Sequence, residues 1–387
     1  MEQKSDDEYL NYIFNNFAKK NKFRVGNNIG KGGFGFVKQI KIDNKKYAGK
    51  LIKIEKNKNN ETDKIKDFKG PNIVKVNQIL YDEFKGESYG LMIMEEADLK
   101  DLKNYIENIF INKLNLIYMS PTNEVIGDNL LRFFTSQIVK SLEILDRNDY
   151  THNDIKPCNF LMFKNLVLKL ADYGLLRNPS DTKTEQGKAK IPGGTRGYLT
   201  PEFYENEGHI IYEENIKKQD YFALGSTLFY IKYGEKMLNY QEYNDNLMTS
   251  DYLKDLIEKA IDHIKSGTTY SKDFIDFLCN LINYKPEERY NIEEIYRNKW
   301  LNKNTEEIKE ILDINDLNDE KLLIELNKSD YLIDKKNYLE NLDKINDNDN
   351  GNDNDNKKIE NAHSIDKKNT FIYRKNKFTF KRNKKNK

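Results

Sequence analysis

Thr151-His-Asn-Asp-Ile-Lys-Pro-Cys-Asn159, followed eleven positions on by Leu170-Ala-Asp-Tyr-Gly174, is the stretch on which the reading of this chain turns. It has the form H-x-D-x-K-P-x-N, then D-[FY]-G. A carboxylate, an ammonium and an amide fall within six residues, with a second carboxylate just beyond. Outward on the C-terminal side lies Gly194-Thr-Arg-Gly-Tyr-Leu-Thr-Pro-Glu202. After it come Gln219-Asp-Tyr-Phe-Ala-Leu-Gly225 and Pro286-Glu-Glu-Arg289.

Outward on the N-terminal side, Ile29-Gly-Lys-Gly-Gly-Phe-Gly-Phe-Val37 places Gly30, Gly32 and Gly35 in G-x-G-x-x-G spacing. Missing side chains let backbone N–H groups approach phosphate oxygens. A dinucleotide-binding loop shares this spacing but needs a helix directly afterwards. Here Phe36 to Ile42 alternates as a strand, which counts against that reading. Tyr47-Ala-Gly-Lys50 follows, a lysine in a further strand. Its ammonium suits phosphate charge in a partly dry cleft. Taken alone, one lysine among so many is a solvated surface residue. Glu61, on the segment after it, is a candidate partner.

These motifs, in this order, resemble the eukaryotic protein kinase family. The resemblance covers roughly residues 23–303 and implies an α+β, two-lobed fold. A small antiparallel β lobe with one helix (about 23–96) would precede a larger, mainly α lobe (about 97–303). It further implies ATP and Mg²⁺ as cofactors and a protein bearing a Ser/Thr acceptor as substrate. Carried over residue by residue, Gly30, Gly32, Gly33 and Gly35 resemble the loop over the ATP phosphates, with Phe34 at its tip and Ile29 at its start. Val37, Ala48 and Leu161 resemble the residues that sandwich adenine. Met94 takes the gatekeeper place, and Glu95-Glu96-Ala97 the hinge. Lys50 resembles the phosphate-binding lysine and Glu61 its helix partner. Asp154 looks like the catalytic base, and Lys156 like the group that neutralises the γ-phosphoryl. Asn159 and Asp172 would hold Mg²⁺ through hard oxygen donors. Thr195 would hydrogen-bond near Asp154 and Lys156, and Asp220 would buttress the loop. Arg289 would pair with Glu202. His152 reads as a packed structural residue and Cys158 as a small filler.

Two departures matter. Asn153 stands where the family carries the arginine that pairs with a phosphorylated activation loop, so the chain is expected to work without a phosphate on Ser180, Thr182 or Thr184. Cys158 stands where many kinases that favour basic substrates carry Glu, so no arginine-directed preference is implied. The rival from another class is a pseudokinase, a scaffold without turnover; intact Lys50, Glu61, Asp154, Asn159 and Asp172 argue against it.

Composition bounds the rest. The chain has 387 residues, 37% of them hydrophobic, with 2 Cys and 4 His far apart, so neither a disulfide framework nor a Cys/His zinc site is expected. The N-terminus lacks an apolar secretory region, and no apolar run approaches the ~18 residues of a membrane span. A soluble, intracellular chain is expected, cytoplasmic or nuclear. Sixty-four Lys+Arg face 63 Asp+Glu, yet the last 21 residues hold ten of the cations and no acid. The body, 1–366, is therefore at −9.

Leu10, Ile13, Phe14 and Phe17 predict an amphipathic N-terminal helix within 1–22. Helices are also predicted over 56–69, Asn129 to Arg147, Asp220 to Lys232, Lys272 to Asn283 and Asn291 to Trp300. A helical extension is expected over 304–345, and disorder over the Asn/Asp-rich and basic 346–387. The basic end suits acidic partners, anionic lipid or RNA, a nuclear import signal, or folding back as a self-substrate through Thr370 or Thr379. A solvated tail with no dedicated partner is the plainer alternative.

Overall fold

The computed structural model describes residues 6–32, 35–54, 64–111, 128–182, 188–190, 193–205, 210–233, 236–238, 250–266 and 271–303. Gly33, Phe34, Glu61, Thr184 and the segments 304–345 and 346–387 lie outside them. In chain order, α1 (Asp6–Asn21) precedes β1 (Arg24–Gly32), β2 (Gly35–Ile42), β3 (Lys45–Ile54), β4 (Val76–Phe84) and β5 (Glu87–Met94). These strands form one antiparallel sheet in the order β1-β2-β3-β5-β4. Asp43 and Asn44 join β2 to β3 with positive φ at both residues, and Lys85-Gly86 join β4 to β5 in the same way. Such mirror-image turns match the twist of adjacent strands.

Alternation gives the sheet two faces. Phe36, Ile40, Leu51, Tyr89, Leu91 and Ile93 point to one, where they bury Ile13, Phe14 and Phe17 of α1. Ala48, Met92 and Met94 point to the other, joining the main core. The N-terminal stripe predicted from sequence is thus the seam that docks α1 on the outside of the sheet.

Beyond the sheet the chain is mainly helical: α2 (Leu102–Ile111), α3 (Asp128–Arg147), α4 (Pro201–Glu205), α5 (Glu213–Tyr233), α6 (Ser250–Ser266), α7 (Lys272–Leu281) and α8 (Ile292–Arg297). Two short hairpins interrupt it. β6 (Phe160–Phe163) pairs with β7 (Val167–Leu170), and β8 (Lys188–Lys190) pairs with β9 (Ile210–Tyr212). Helix α5 is buried almost all round, as its apolar sequence predicts, and Trp300 packs on Phe274 and Phe277 of α7. No helix among the described residues is long and apolar enough to cross a membrane.

One sequence expectation needs correction, and two elements had no sequence expectation. Between 64 and 69, the helix predicted over 56–69 narrows to a 3-10 turn at Ile65–Asp67, and Phe68 is already extended before Gly70-Pro71. Strand β4 was not anticipated, because of its nine residues only Ile79 is buried and no apolar alternation marks it. Helix α6 was likewise missed.

Candidate active site

The motif residues converge where the sheet meets the helical part. Thr151 bridges Arg177 across an isolated β-contact, N–H to carbonyl in both directions (2.8 and 3.0 Å). Next in the chain, the backbone N–H groups of His152 and Asn153 both donate to the Asp220 carboxylate on α5, at 2.6 and 2.9 Å. A buried carboxylate with two backbone donors sets the path of the loop. Burial pushes the Asp220 carboxyl up to about 7, against the pull of those two N–H groups.

His152 is fully buried and packs edge-on to Tyr173 at 5.6 Å. Its Nε2 faces the Ala171 carbonyl at 3.0 Å, while Nδ1 accepts the Asp154 N–H at 3.3 Å. That pattern requires the Nε2–H neutral tautomer, and burial holds the imidazole pKa below its ordinary value. It fits a packed structural residue.

Asp154 is the centre of a triangle. Its Oδ1 accepts from Thr195 Oγ1 and its Oδ2 from Lys156 Nζ, both at 2.6 Å, and Lys156 Nζ also donates to Thr195 Oγ1 at 2.6 Å. Burial alone would raise the Asp154 carboxyl, but the bonds from Lys156 and Thr195 outweigh it and hold the pKa below the usual range. Asp154 is therefore an anion at neutral pH. Gly194 permits the triangle: a Cβ there would stand 2.7 Å from the Asn153 carbonyl oxygen and 2.8 Å from Leu199 Cδ2.

Asn159 closes the loop. Its Nδ2 donates to the Asp154 carbonyl (2.7 Å) and to Asp154 Oδ2 (3.0 Å), while among the described residues its Oδ1 meets only a long contact from the Cys158 thiol (3.9 Å). The Asn159 carbonyl accepts from Ala171, the residue before Asp172. Asp172 adopts a left-handed backbone (φ 62°), and its Oδ1 receives Lys50 Nζ at 2.6 Å. Lys50 pairs in register with Val37 on β2 and Met92 on β5.

Around this pair, Ala48 stands opposite Met94, and Val37 and Leu161 pack on the same core. Gly30 pairs with Val37 and Gly32 with Gly35, so the glycines end β1 and open β2 with strand, not helix, on the far side. Ile29 is exposed on β1. The Glu95 carboxylate is engaged by Lys169 (2.9 and 2.7 Å) and by the Lys75 N–H, and its own N–H donates to Lys75; none of these bonds uses the Glu95 carbonyl. Ala97 is half-buried two residues further on. Glu202 and Arg289 form a bidentate pair at 2.6 and 2.7 Å, with the guanidinium fully buried over Phe222.

Sequence reasoning missed what Asn153 does. Its backbone is left-handed (φ 62°), which Asn tolerates, and its Nδ2 reaches Thr151 Oγ1 (2.9 Å), the Thr151 carbonyl (3.2 Å) and the Leu175 carbonyl (2.9 Å). The side chain thus ties the Asp154 loop to the segment after Asp172-Tyr-Gly174. Only the approach in space of residue 153 to Leu175, just after Asp172-Tyr-Gly174, reveals this. Another unforeseen tie is Asn72 of Gly70-Pro-Asn-Ile-Val74, which donates to the Leu168 carbonyl (2.8 Å), while Val74 and Leu170 bond backbone to backbone.

With this geometry in place, comparison with known proteins is informative. Residues 23–301 match the protein kinase domain, and the chain belongs to that family. It is similar to an Aurora kinase of Saccharomyces cerevisiae, 26% identical over 283 residues, or 73% of this chain and 70% of that one. An Aurora kinase of Candida glabrata is 26% identical over 302 residues, 75% and 74% of the two chains. The serine/threonine-protein kinase chk-2 of Caenorhabditis elegans is 25% identical over 300 residues, 72% of this chain and 56% of that one.

Proposed function

We propose that this chain is a serine/threonine protein kinase that transfers the γ-phosphoryl group of ATP to a protein hydroxyl. The observation that carries the reading is the Asp154–Lys156–Thr195 triangle, joined through Asn159 and Ala171 to the Lys50–Asp172 pair. Phosphoryl transfer asks a protein mainly to position groups and neutralise charge. Asp154, kept anionic, orients the acceptor hydroxyl and takes its proton. Lys156 meets the charge on the group in transit, and Thr195 holds both side chains in place. Lys50 serves the phosphates that remain. Asn159 Oδ1 and the Asp172 carboxylate fit Mg²⁺, since both are hard oxygen donors and few protein ligands are needed when phosphates and water supply the rest. The bound metal would offset phosphate charge. The backbone of the glycine hairpin covers the phosphates, and Val37, Ala48 and Leu161 flank the base beside Met94, Glu95 and Ala97.

Activity without activation-loop phosphorylation belongs to the same reading. Asn153 ties its loop to Leu175 with an uncharged amide, and β8 is held by β9, with Ala189 fully buried beside Ile216. Full-chain protein incubated with phosphatase should keep most of its activity; a large loss would sink this part.

The main test is ATP-dependent labelling of a generic protein substrate by wild type and Asp154→Ala. Labelling by the wild type that falls at least ~10²-fold in the variant is expected for loss of a positioned acid–base group. Equal background signals from both would favour a kinase-shaped scaffold.

A further inference from the structure

The rim around the Asp154 triangle is cationic where an acceptor segment would have to run. Residues 186–201, which lead into and out of Thr195, contain Lys188, Lys190 and Arg196 and no acid. Lys236 comes in from beyond α5. Its Cδ lies 3.2 Å from where a Cβ on Gly197 would sit, and its Nζ stands 5.9 Å from the Tyr198 ring centroid. Tyr198 itself lines the small cavity beside Asp154, together with Thr195, Leu199 and Ala223. On the other flank, α2 packs against the turn holding Cys158 and presents Lys103, which is exposed.

These charges act on one another. Burial chiefly, then repulsion from Lys103 and Lys156, lowers the Lys236 pKa. Lys236, Lys103 and Lys156 therefore share one neighbourhood; Lys156 is paired to Asp154 and Lys103 only loosely to Glu107, so Lys236 is the ammonium that an arriving anion would offset most.

Carboxylates on the same rim are already engaged. Asp101 accepts the backbone N–H and Nδ2 of Asn104 at 2.8 and 2.6 Å. Glu107 accepts Tyr230 Oη at 3.0 Å and pairs loosely with Lys103 at 3.6 Å; an exposed pair of that kind contributes little. Among the described residues, no carboxylate forms an ion pair with Lys236.

Building on the kinase reading above, we infer that Lys236 and Lys103 recognise carboxylate side chains flanking the Ser/Thr acceptor, so that the substrate class is an acidic peptide segment. An acceptor hydroxyl within hydrogen-bond reach of Asp154 leaves its chain passing Tyr198 and Cys158. Extended peptide advances ~3.3 Å per residue, so the first few neighbours of the acceptor are the ones that meet the lysines. Single ammonium groups on flexible stems suit single carboxylates as point charges. The same rim disfavours the chain's own basic end, where Thr379 is flanked by Lys377 and Lys381.

The experiment uses the full chain and three fluorescent peptides of equal length, with Glu, Gln or Lys around a central Ala in place of the acceptor. Anisotropy should give the Glu peptide about tenfold tighter binding than the Lys peptide at low salt. The gap should shrink as ionic strength approaches ~0.15 M, where the Debye length is ~8 Å. Lys236→Glu should remove most of the preference and Lys103→Glu a smaller part; the tail is intact in both variants, so its own attraction for acidic peptides cancels. Equal binding of the three peptides, tighter binding of the Lys peptide, or a preference untouched by both substitutions would overturn the inference. Binding of a phosphoserine-flanked peptide but not of the Glu peptide would overturn it too. Ser-containing versions report turnover separately. No transfer to any of them, with the binding preference intact, retires the kinase reading and leaves the rim standing.

Discussion

Lys50 and Asp154 are the two charged poles of the site, and the molecule holds them by different means. Around Asp154 the restraints are polar and directional: Thr195, Lys156, Asn159 and, one layer back, Asp220 and Asn153. Around Lys50 they are mostly apolar. Its strand is pinned from behind by α1, where Phe14 is fully buried, lies edge-on to Phe36 at 6.4 Å and reaches over Gly49. A Cβ at Gly49 would be 2.9 Å from Phe14 Cζ, so that glycine is the gap the ring fills. Hydrogen bonds fix atoms to within tenths of an ångström, as the proton-accepting role proposed for Asp154 would require. Packing fixes a strand, which suffices for the role proposed for Lys50, a long flexible stem reaching a phosphate. Both poles draw support from distant parts of the chain, Thr195 and Asp220 for Asp154 and Phe14 for Lys50, yet only the polar supports stand in the motifs.

The polar side should break hardest. Glu202→Ala strips the partner from the fully buried Arg289 guanidinium, and an uncompensated buried charge costs ~3–5 kcal/mol. Thermal melting should show a fall on the order of 10 °C. A shift under about 2 °C would mean that the remaining bonds of Arg289, to the Asn283 and Tyr284 carbonyls, carry it alone.

The apolar side should yield somewhat less, and reversibly. Phe14→Ala leaves a cavity against the sheet and is expected to cost about 3 kcal/mol. Gly49→Ile inserts a side chain where Phe14 stands and should cost ~1–3 kcal/mol. Combined, the two changes complement each other, so the double variant should be more stable than the sum of the singles implies by roughly 1–2 kcal/mol. Strict additivity in denaturant melts would show that Phe14 and Gly49 do not share that space.

How much of this was readable beforehand follows the same division. The gathering of Asp154, Lys156, Asn159, Asp172 and Lys50 into one place was legible because their motifs combine charged and amide side chains at tight spacing. The Glu202–Arg289 pair was legible for the same reason. Helix α1 was half legible: its apolar stripe announced a buried face but not the sheet that buries it. Gly49 was silent, because a glycine acquires meaning only from the neighbour that occupies its missing side chain. Asn153 was read for the arginine it replaces, whereas its three amide bonds depend on a contact with Leu175, 22 residues away. Strand β4 escaped since its edge position leaves most of its side chains in solvent.

The smallest expected effect concerns pH, because two buried groups at the back of the Asp154 loop oppose each other. Asp220, pushed up to about 7 by burial, keeps its proton in the folded chain over a range where the unfolded carboxyl has lost it. The folded state then binds more protons, so this group's contribution to stability falls as pH rises from about 4 to about 7. His152 is the reverse. Burial lowers its pKa, so just below its ordinary value of about 6.5 the unfolded imidazole is protonated and the folded one is not. Its contribution therefore rises with pH in that window. Near pH 6 the two slopes have opposite signs, and wild-type stability should change little. Asp220→Asn removes the falling part and exposes the rising one, whatever the variant's absolute stability. Denaturant melts between about pH 5 and about pH 7 should show stability climbing with pH in the variant but not in the wild type. Parallel profiles would mean that Asp220 is already ionised throughout, held by the His152 and Asn153 N–H groups more tightly than its burial opposes.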